Sequence, residues 1–475
     1  EYHYSGYELT KIRSLLHFDS TTKLPVWREI SLTWSKGQLI EVTDPLGHTE
    51  TTAFDFAGQP LLITNALGYQ TQIKYTSQGF AHTIIDAKGG HKRMLWDKYG
   101  NLEKYQDCSD KLTHYQYDDY GRLSSLTNAM QDVTQYKYYA RQTQPCEVIY
   151  PDQSTEQFKY DVLERLIEYR DALGRVTNYQ YSYDNLPIRR RDAANGIVTY
   201  HYDNLRRFTG LTNENGKTWT LEYDINDRVI AETTFDDIRT EYEYSPAGHL
   251  IRHRQYTENK ILRYSTIFKR NLLGELLEQY IVDHQNLTEK KRTRYAYDLA
   301  GQLIEARNEH SHVKLSYDEI GQLKTEQLIA HWLNASTQEH SKRSHTLTHL
   351  YDELGNRIET TLPDGRKLKT MYYGSGHAWN YALEDSEGSY EISCLERDDL
   401  HQEIGRSQGR LQSAFVLDKM GRLLDQNVND AENPENKRIS RAYHYDKAGQ
   451  ITEILDHRFN SQKQLWQRKQ SYQYD

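Results

Sequence analysis

Cysteine, proline and long apolar runs are scarce in this 475-residue chain, and each scarcity removes a class of protein. The three cysteines, Cys108, Cys146 and Cys394, lie far apart and are odd in number. They fit neither a disulfide framework nor a CxxC metal knuckle, and suit folding in a reducing compartment. With 9 prolines and no Pro/Gly/Ser-rich stretch, the chain offers no linker at which to divide it. No apolar run approaches the roughly 18 residues a membrane-spanning helix needs, and no signal peptide is visible in a chain that starts without Met. Positive charge does not dominate: Lys and Arg number 59 against 68 Asp and Glu, a net charge of -9, which argues against nucleic acid as a ligand. Arg189-Arg190-Arg191, the sharpest basic cluster, reads as strand-edge charge.

Hydrophobic residues are also thin, at 37%, with a mean hydropathy of -0.90. Such a composition suggests disorder only when aromatics are few. Here they reach 12%, and Tyr alone numbers 39. Tyrosine brings an apolar ring with a wet hydroxyl, which suits a sheet with water near both faces better than a thick oily core.

What the sequence does have is a clock. An aromatic-Asp-x-x-Gly unit followed by an aliphatic recurs along the chain. Trp96-Asp97-Lys98-Tyr99-Gly100-Asn101-Leu102 is one copy, and Tyr117-Asp118-Asp119-Tyr120-Gly121-Arg122-Leu123 follows 21 positions later. Phe54-Asp55 to Gly58, Tyr75-Thr76 to Gly79, Tyr297-Asp298 to Gly301, Tyr351-Asp352 to Gly355 and Tyr445-Asp446 to Gly449 belong to the same series, with Asp203, Asp224 and Ser245 again 21 apart. Half a period on lies a second turn, as in Asn65-Ala66-Leu67-Gly68 and Asp171-Ala172-Leu173-Gly174. At both turns Asp or Asn can accept a hydrogen bond from the backbone N–H two residues on, and Gly tolerates the left-handed backbone of the fourth position.

Between turns the pattern alternates: Tyr115 and Tyr117, Tyr136 and Tyr138, Tyr181 and Tyr183, Tyr242 and Tyr244 are i, i+2 pairs separated by a polar residue. Period two puts both rings on one face of a strand. One period is therefore two antiparallel strands and two turns, and stacking should set tyrosines above tyrosines on neighbouring strands. The expected fold class is all-β: tandem hairpins of about 21 residues forming a long antiparallel strip of about 35–40 strands, coiled because so long a sheet cannot stay flat. The clock falters at about 251–295, 324–349 and 372–415, which read as longer hairpins or loops inside a single continuous region, 1–475. The chain stops at Tyr474-Asp475, inside a copy.

These residues resemble the Rhs/YD-repeat family, in which Tyr-Asp-x-x-Gly-Arg-Leu heads each repeat. Tyr117 to Leu123 matches that heading in full, and Asp418 to Leu423 and Asp171 to Arg175 come close. The family includes bacterial Rhs polymorphic toxins, shell components of insecticidal Tc toxins, wall-associated proteins and teneurins. The resemblance implies a β strip wound into a hollow cocoon. It implies a structural shell segment of a secreted bacterial toxin that encapsulates a C-terminal toxin domain, made in the cytoplasm and delivered out of the cell. Its partners would be that cargo, the flanking regions of a longer polypeptide truncated within a repeat at both ends here, and a secretion-system or Tc-type delivery component. The other reading is a surface adhesion or carbohydrate-binding module, its exposed tyrosines stacking on sugars. Toxin members end the shell with an Asp-Pro-x-Gly-Leu cleavage motif; Asp44-Pro45-Leu46-Gly47 continues instead with His48 and sits in the clock, so it reads as a turn.

Sites for chemistry are few. Asp118-Asp119, Asp236-Asp237 and Asp398-Asp399 are paired acids, but neighbours on a strand point to opposite faces and turn acids are solvated. His310-Ser311-His312 and the pair His345 and His349 place rings on one face of a strand, short of the three or four ligands zinc needs. Gly-rich spots such as Gly89-Gly90 fall on repeat turns, and no Walker loop or GxSxG elbow is present. The expectation is therefore no enzyme, with no residue assigned to catalysis, cofactor or metal, no nucleic-acid partner and no membrane span.

Overall fold

The computed structural model describes residues 1–475 except 19–20, 287, 334–339, 460–464 and 475. Among the described residues there are 41 strands and no helix, slightly more strands than the repeat length predicts. Successive strands pair antiparallel, hairpin after hairpin, as in Leu112–Tyr117 with Leu123–Thr127 and Val133–Lys137 beyond it. The three faltering stretches are longer hairpins: Leu262–Arg270 with Leu276–Asp283, Leu323–Leu333 with His340–Tyr351, and Lys367–Tyr373 with His377–Glu384. The tip of the second lies outside the described residues, as does Asp475 of the final expected copy.

The repeat-heading turn is closed by one side chain doing two jobs. Asp118 Oδ1 accepts from the N–H of Tyr120 at 2.9 Å and from that of Arg122 at 3.0 Å. The second bond, four residues on, pins the return strand as well as the turn. Gly121 takes φ 76°, and the pairing slips by one residue between Gln116 and Tyr117, the bulge that a left-handed residue gives a hairpin. Several turns manage without glycine: Gln131, Glu164, Asn185 and Arg206 hold the same position at φ 59–66°.

The repeat heading works as a joint to the next repeat. Arg122 Nε donates to Asp118 Oδ2 at 2.7 Å, while its Nη1 reaches the carbonyl of Tyr139 in the following turn at 3.0 Å. The guanidinium lies 4.4 Å from the ring centroid of Tyr138, whose hydroxyl donates back to the carbonyl of Leu123 at 2.8 Å. The same set recurs at Arg165 with Tyr181 and Leu166, at Arg207 with Tyr223 and Phe208, and at Arg228 with Tyr244 and Val229. Tyr, Asp, Arg and the aliphatic carbonyl of the heading are thus all spoken for.

This differs from the expected stack of tyrosine on tyrosine. The heading tyrosine faces arginine, a cation–π contact contributing roughly 0.5–2 kcal/mol when partly desolvated. Ring-to-ring contacts instead mix residue types: Phe80 with Trp96, Phe158 with Tyr169, Phe208 with Trp219, and His253 with Phe268. Burial is shallow, as the composition suggests. Val148, Val198, Ile329 and Val428 stay 7–8% exposed, and among the described residues no large side chain is fully buried.

The chain forms two compact units, each assembled from segments far apart in sequence. One comprises Glu1–Gln72, Val198–Leu350 and Thr361–Asp364; the other comprises Ile73–Ile197, Tyr351–Thr360 and Gly365–Asp475. In the first, Arg28 ties its two long segments together, donating to the carbonyl of Leu299 at 2.7 Å and to Glu275 Oε1 at 2.6 Å.

Candidate functional site: a seam between turns

The residues singled out from the sequence fall mostly on turns. Asp118 and Asp398 are turn caps, Asp119 is exposed, and Asp399 is engaged by Lys111. Asp237 holds a left-handed turn position at φ 61°, beside Asp236. Asp44 caps Leu46 and His48 at 2.8 Å each, with Gly47 left-handed, so Asp44 to Gly47 forms a repeat turn. Arg189, Arg190 and Arg191 lie in the strand Pro187–Arg191, paired to Gln180, Tyr179 and Asn178. Gly89 is left-handed in the turn that Asp86 caps.

The histidine pairs are less alike than the sequence implied. The strand begins at Ser311, so His310 sits in the preceding turn and only His312, 3.1 Å from Glu305, is on the strand. His345 and His349 share one strand, the first exposed and the second buried. Among the described residues no group of three or more His, Cys, Asp or Glu side chains is placed to hold a metal ion.

The feature that gathers chemistry is a seam inside the second unit. Half-period turns of residues 86–175 meet the Asp-headed turns of residues 352–450, one after another. Lys88 Nζ lies 3.0 Å from Asp352 Oδ2, and Lys111 pairs with Asp399. Lys419 Nζ is 3.9 Å from Asp132, Arg422 Nη2 is 2.8 Å from Asp152, and Arg175 Nη1 donates to Gln450 at 3.0 Å. Every contact joins one turn to a turn far along the chain. Asp352 shows the electrostatics: burial pushes its carboxyl up, but bonds from Asn356, Lys88 and backbone N–H groups outweigh that and hold it below the usual range.

At the centre of the seam lies a knot of titratable groups. His401 Nε2 is 2.8 Å from Asp107 Oδ2 across the seam, and His401 Nδ1 is 3.0 Å from the Tyr373 hydroxyl. The His377 ring stacks on His401, centroids 3.7 Å apart and planes within 11°. Cys108 Sγ and Ser375 Oγ are 2.6 Å apart, again across the seam. Burial would raise Asp107, yet the bonds from His401 and from the N–H groups of Lys111 and Ser109 hold it low. Burial, then the nearby His401 and Arg397, hold His377 below the ordinary histidine range.

Sequence reasoning missed this site. Its members belong to repeats too far apart for a 21-residue pattern to relate. The one local signal was residue choice: His401 occupies a left-handed turn position, at φ 62°, where neighbouring turns use Gly355 and Gly421.

No protein-family model matches the chain. It is 30% identical over 343 residues to double-stranded DNA deaminase toxin A of Burkholderia cenocepacia, covering 67% of this chain and 22% of that protein. It is 27% identical over 177 residues to toxin protein Tse5 of Pseudomonas aeruginosa, covering 35% of this chain and 12% of the relative. Probable deoxyribonuclease RhsB of Dickeya dadantii matches at 30% over 106 residues, 22% of this chain and 7% of the relative. Among solved structures, the crystal structure of TcdB2-TccC3 superposes with a TM-score of 0.64 at 13% identity, over 98% of this chain and 32% of that one. The Photorhabdus luminescens Tc holotoxin pore superposes with a TM-score of 0.64 at 12% identity, over 98% and 33%. The chain thus spans about a fifth or less of the curated relatives it matches and a third of the solved chains.

Proposed function

From a chain that belongs to the Rhs/YD-repeat family, we propose a stretch of shell wall within a longer bacterial toxin polypeptide. In this reading residues 1–475 are one continuous repeat region, the enclosed toxic domain lies elsewhere on the same polypeptide, and the whole is delivered out of the cell by a secretion-system or Tc-type component. The observation that carries it is the seam. Within the second unit far-apart turns pair side chain by side chain, from Lys88 with Asp352 to Arg175 with Gln450, which supports a wall sealed along that seam. Adhesion through exposed tyrosines is not favoured, because the relatives are named as toxins.

The test is limited proteolysis of the longer gene product. A toxic domain inside an intact wall should resist protease, and the charge reversals Lys88→Glu and Asp152→Lys, which set like charges against Asp352 and Arg422, should speed its cleavage by about tenfold or more. Cleavage at the same rate with and without the reversals would refute enclosure.

A further inference from the structure

The knot at the seam has a property that a plain salt bridge lacks. His401 faces Asp107, so a single proton on the histidine pair has a carboxylate beside it. His377 faces His401 and, at longer range, Arg397. A second proton therefore places two imidazolium rings face to face with 3.7 Å between centroids and a guanidinium close by.

The charged and titratable groups around the pair come from every element that meets there. Asp107, Cys108 and Lys111 belong to the opposing turn, Tyr373 to the strand preceding His377, and Arg397, Asp398 and Asp399 to the strand end and turn that carry His401. Lys111 is taken by Asp399, and Arg397 donates to the carbonyls of Ala378 and His401. Asp398 is occupied capping the N–H groups of Leu400 and Gln402. Among the described residues Asp107 remains as the single acid bonded to the pair, enough for one proton and not for two.

We propose that the stacked His377 and His401 form an acid-operated latch on the seam. The seam is closed while at most one ring is charged and opens between the 107–111 turn and the turns at 374–376 and 398–402 when both are. The proposal concerns the seam itself and holds whatever the wall encloses. The sign follows from His377, which burial and the neighbouring His401 and Arg397 hold below the ordinary histidine range: an unfolded or opened chain takes the proton more readily, so closure weakens as pH falls through the histidine range.

Cys108 is the reporter, because it lies against Ser375 in the closed seam. The purified 475-residue chain with Cys146 and Cys394 changed to Ser, which leaves Cys108 as its single thiol, is reacted with 4,4′-dithiodipyridine, which labels thiols down to acid pH, and the Cys108 rate is divided by that of the urea-unfolded chain. The expected protection falls at least about tenfold between about pH 7 and about pH 5. His377→Phe keeps a ring in the stack and cannot be charged, so it should stay protected at the lower pH. His377→Arg carries the charge permanently and should label rapidly at both. Circular dichroism confirms that each variant retains its strands. Unchanged protection of the native chain across this range would overturn the latch, as would a His377→Phe variant that opens at the same pH.

Discussion

Cys108 and Ser375 offer a direct physical check on the seam. Their Sγ and Oγ atoms lie 2.6 Å apart although the residues are 267 positions apart in sequence. A disulfide needs sulfurs about 2.05 Å apart and Cβ atoms about 3.5–4.5 Å apart, so Ser375→Cys requires only a small adjustment. With 267 residues in the loop, closing it removes about 19 cal/mol/K of unfolded-chain entropy, or about 5–6 kcal/mol at room temperature. That figure is the upper end, since strain in engineered bonds reduces it.

The assay uses the Ser375→Cys variant alone and in a version with Cys146 and Cys394 changed to Ser. Under mild oxidation the monomer should run faster on a non-reducing gel, and mass spectrometry should find the peptides carrying positions 108 and 375 cross-linked to each other. Its urea midpoint should rise and fall back on reduction. A fully oxidisable variant that yields only intermolecular dimers, or none, would show that the turns at 107–111 and 373–377 do not meet.

The arginine joint gives a second prediction: Arg165→Ala should cost about 2–3 kcal/mol in the opening of its hairpin, read by native-state hydrogen exchange, because charge-assisted bonds and the Tyr181 contact go together. A double-mutant cycle with Tyr181→Leu should return a coupling of about 0.5–2 kcal/mol; additivity would remove the cation–π contact from the account. The turns predict opposite signs for glycine changes. Gly121→Ala, at φ 76° with no atom near the added Cβ, should destabilise by about 1–2 kcal/mol, whereas Gln131→Gly, at φ 64°, should stabilise by about 0.5–1 kcal/mol. The turn acids set the acid limit. The Arg165 and Arg228 bonds chiefly hold Asp161 and Asp224 low, while at Asp118 and Asp203 burial pulls upward and bonds from arginine and backbone N–H groups overcome it. Lowered carboxylates stabilise the fold above their unfolded value of about 3.9, and that contribution is lost as pH falls through the lower folded values. Unfolding midpoints should therefore drop below about pH 4, and Asp161→Asn should flatten that limb.

The local half of this fold is legible in the sequence because its chemistry is local. Asp118 and Gly121 announce a turn, and Tyr115 and Tyr117 announce a strand face, with no reference to the rest of the chain. Where the clock skips a beat, the turn is there without its glycine: Asp161 caps Leu163 and Arg165, and Glu164 takes the left-handed position. A cap with two backbone bonds carries a penalty of about 1–2 kcal/mol, so the glycine is helpful and dispensable. The partner of the heading tyrosine was misread for a related reason. Alternation tells which face a ring is on, but the arginine that covers it comes from the preceding turn, at a spacing of 16 between Arg122 and Tyr138 that neither period two nor the turn motif encodes.

The seam was not legible, because its contacts are not those of neighbouring repeats. The repeat joints are nearest-neighbour contacts: Arg122 reaches the turn at Tyr139, Tyr138 reaches back to Leu123, and each repeat is held by the ones beside it. A one-dimensional ladder of this kind keeps its strands when a distant contact is lost. The ion pairs at 88–352, 132–419 and 152–422 lie outside the ladder of any single hairpin and join repeats far apart in the chain. Strand content and closure are therefore separable. A change such as Asp152→Lys should leave the β-sheet spectrum intact while opening the seam, because the repeat joints and the seam rest on different residues.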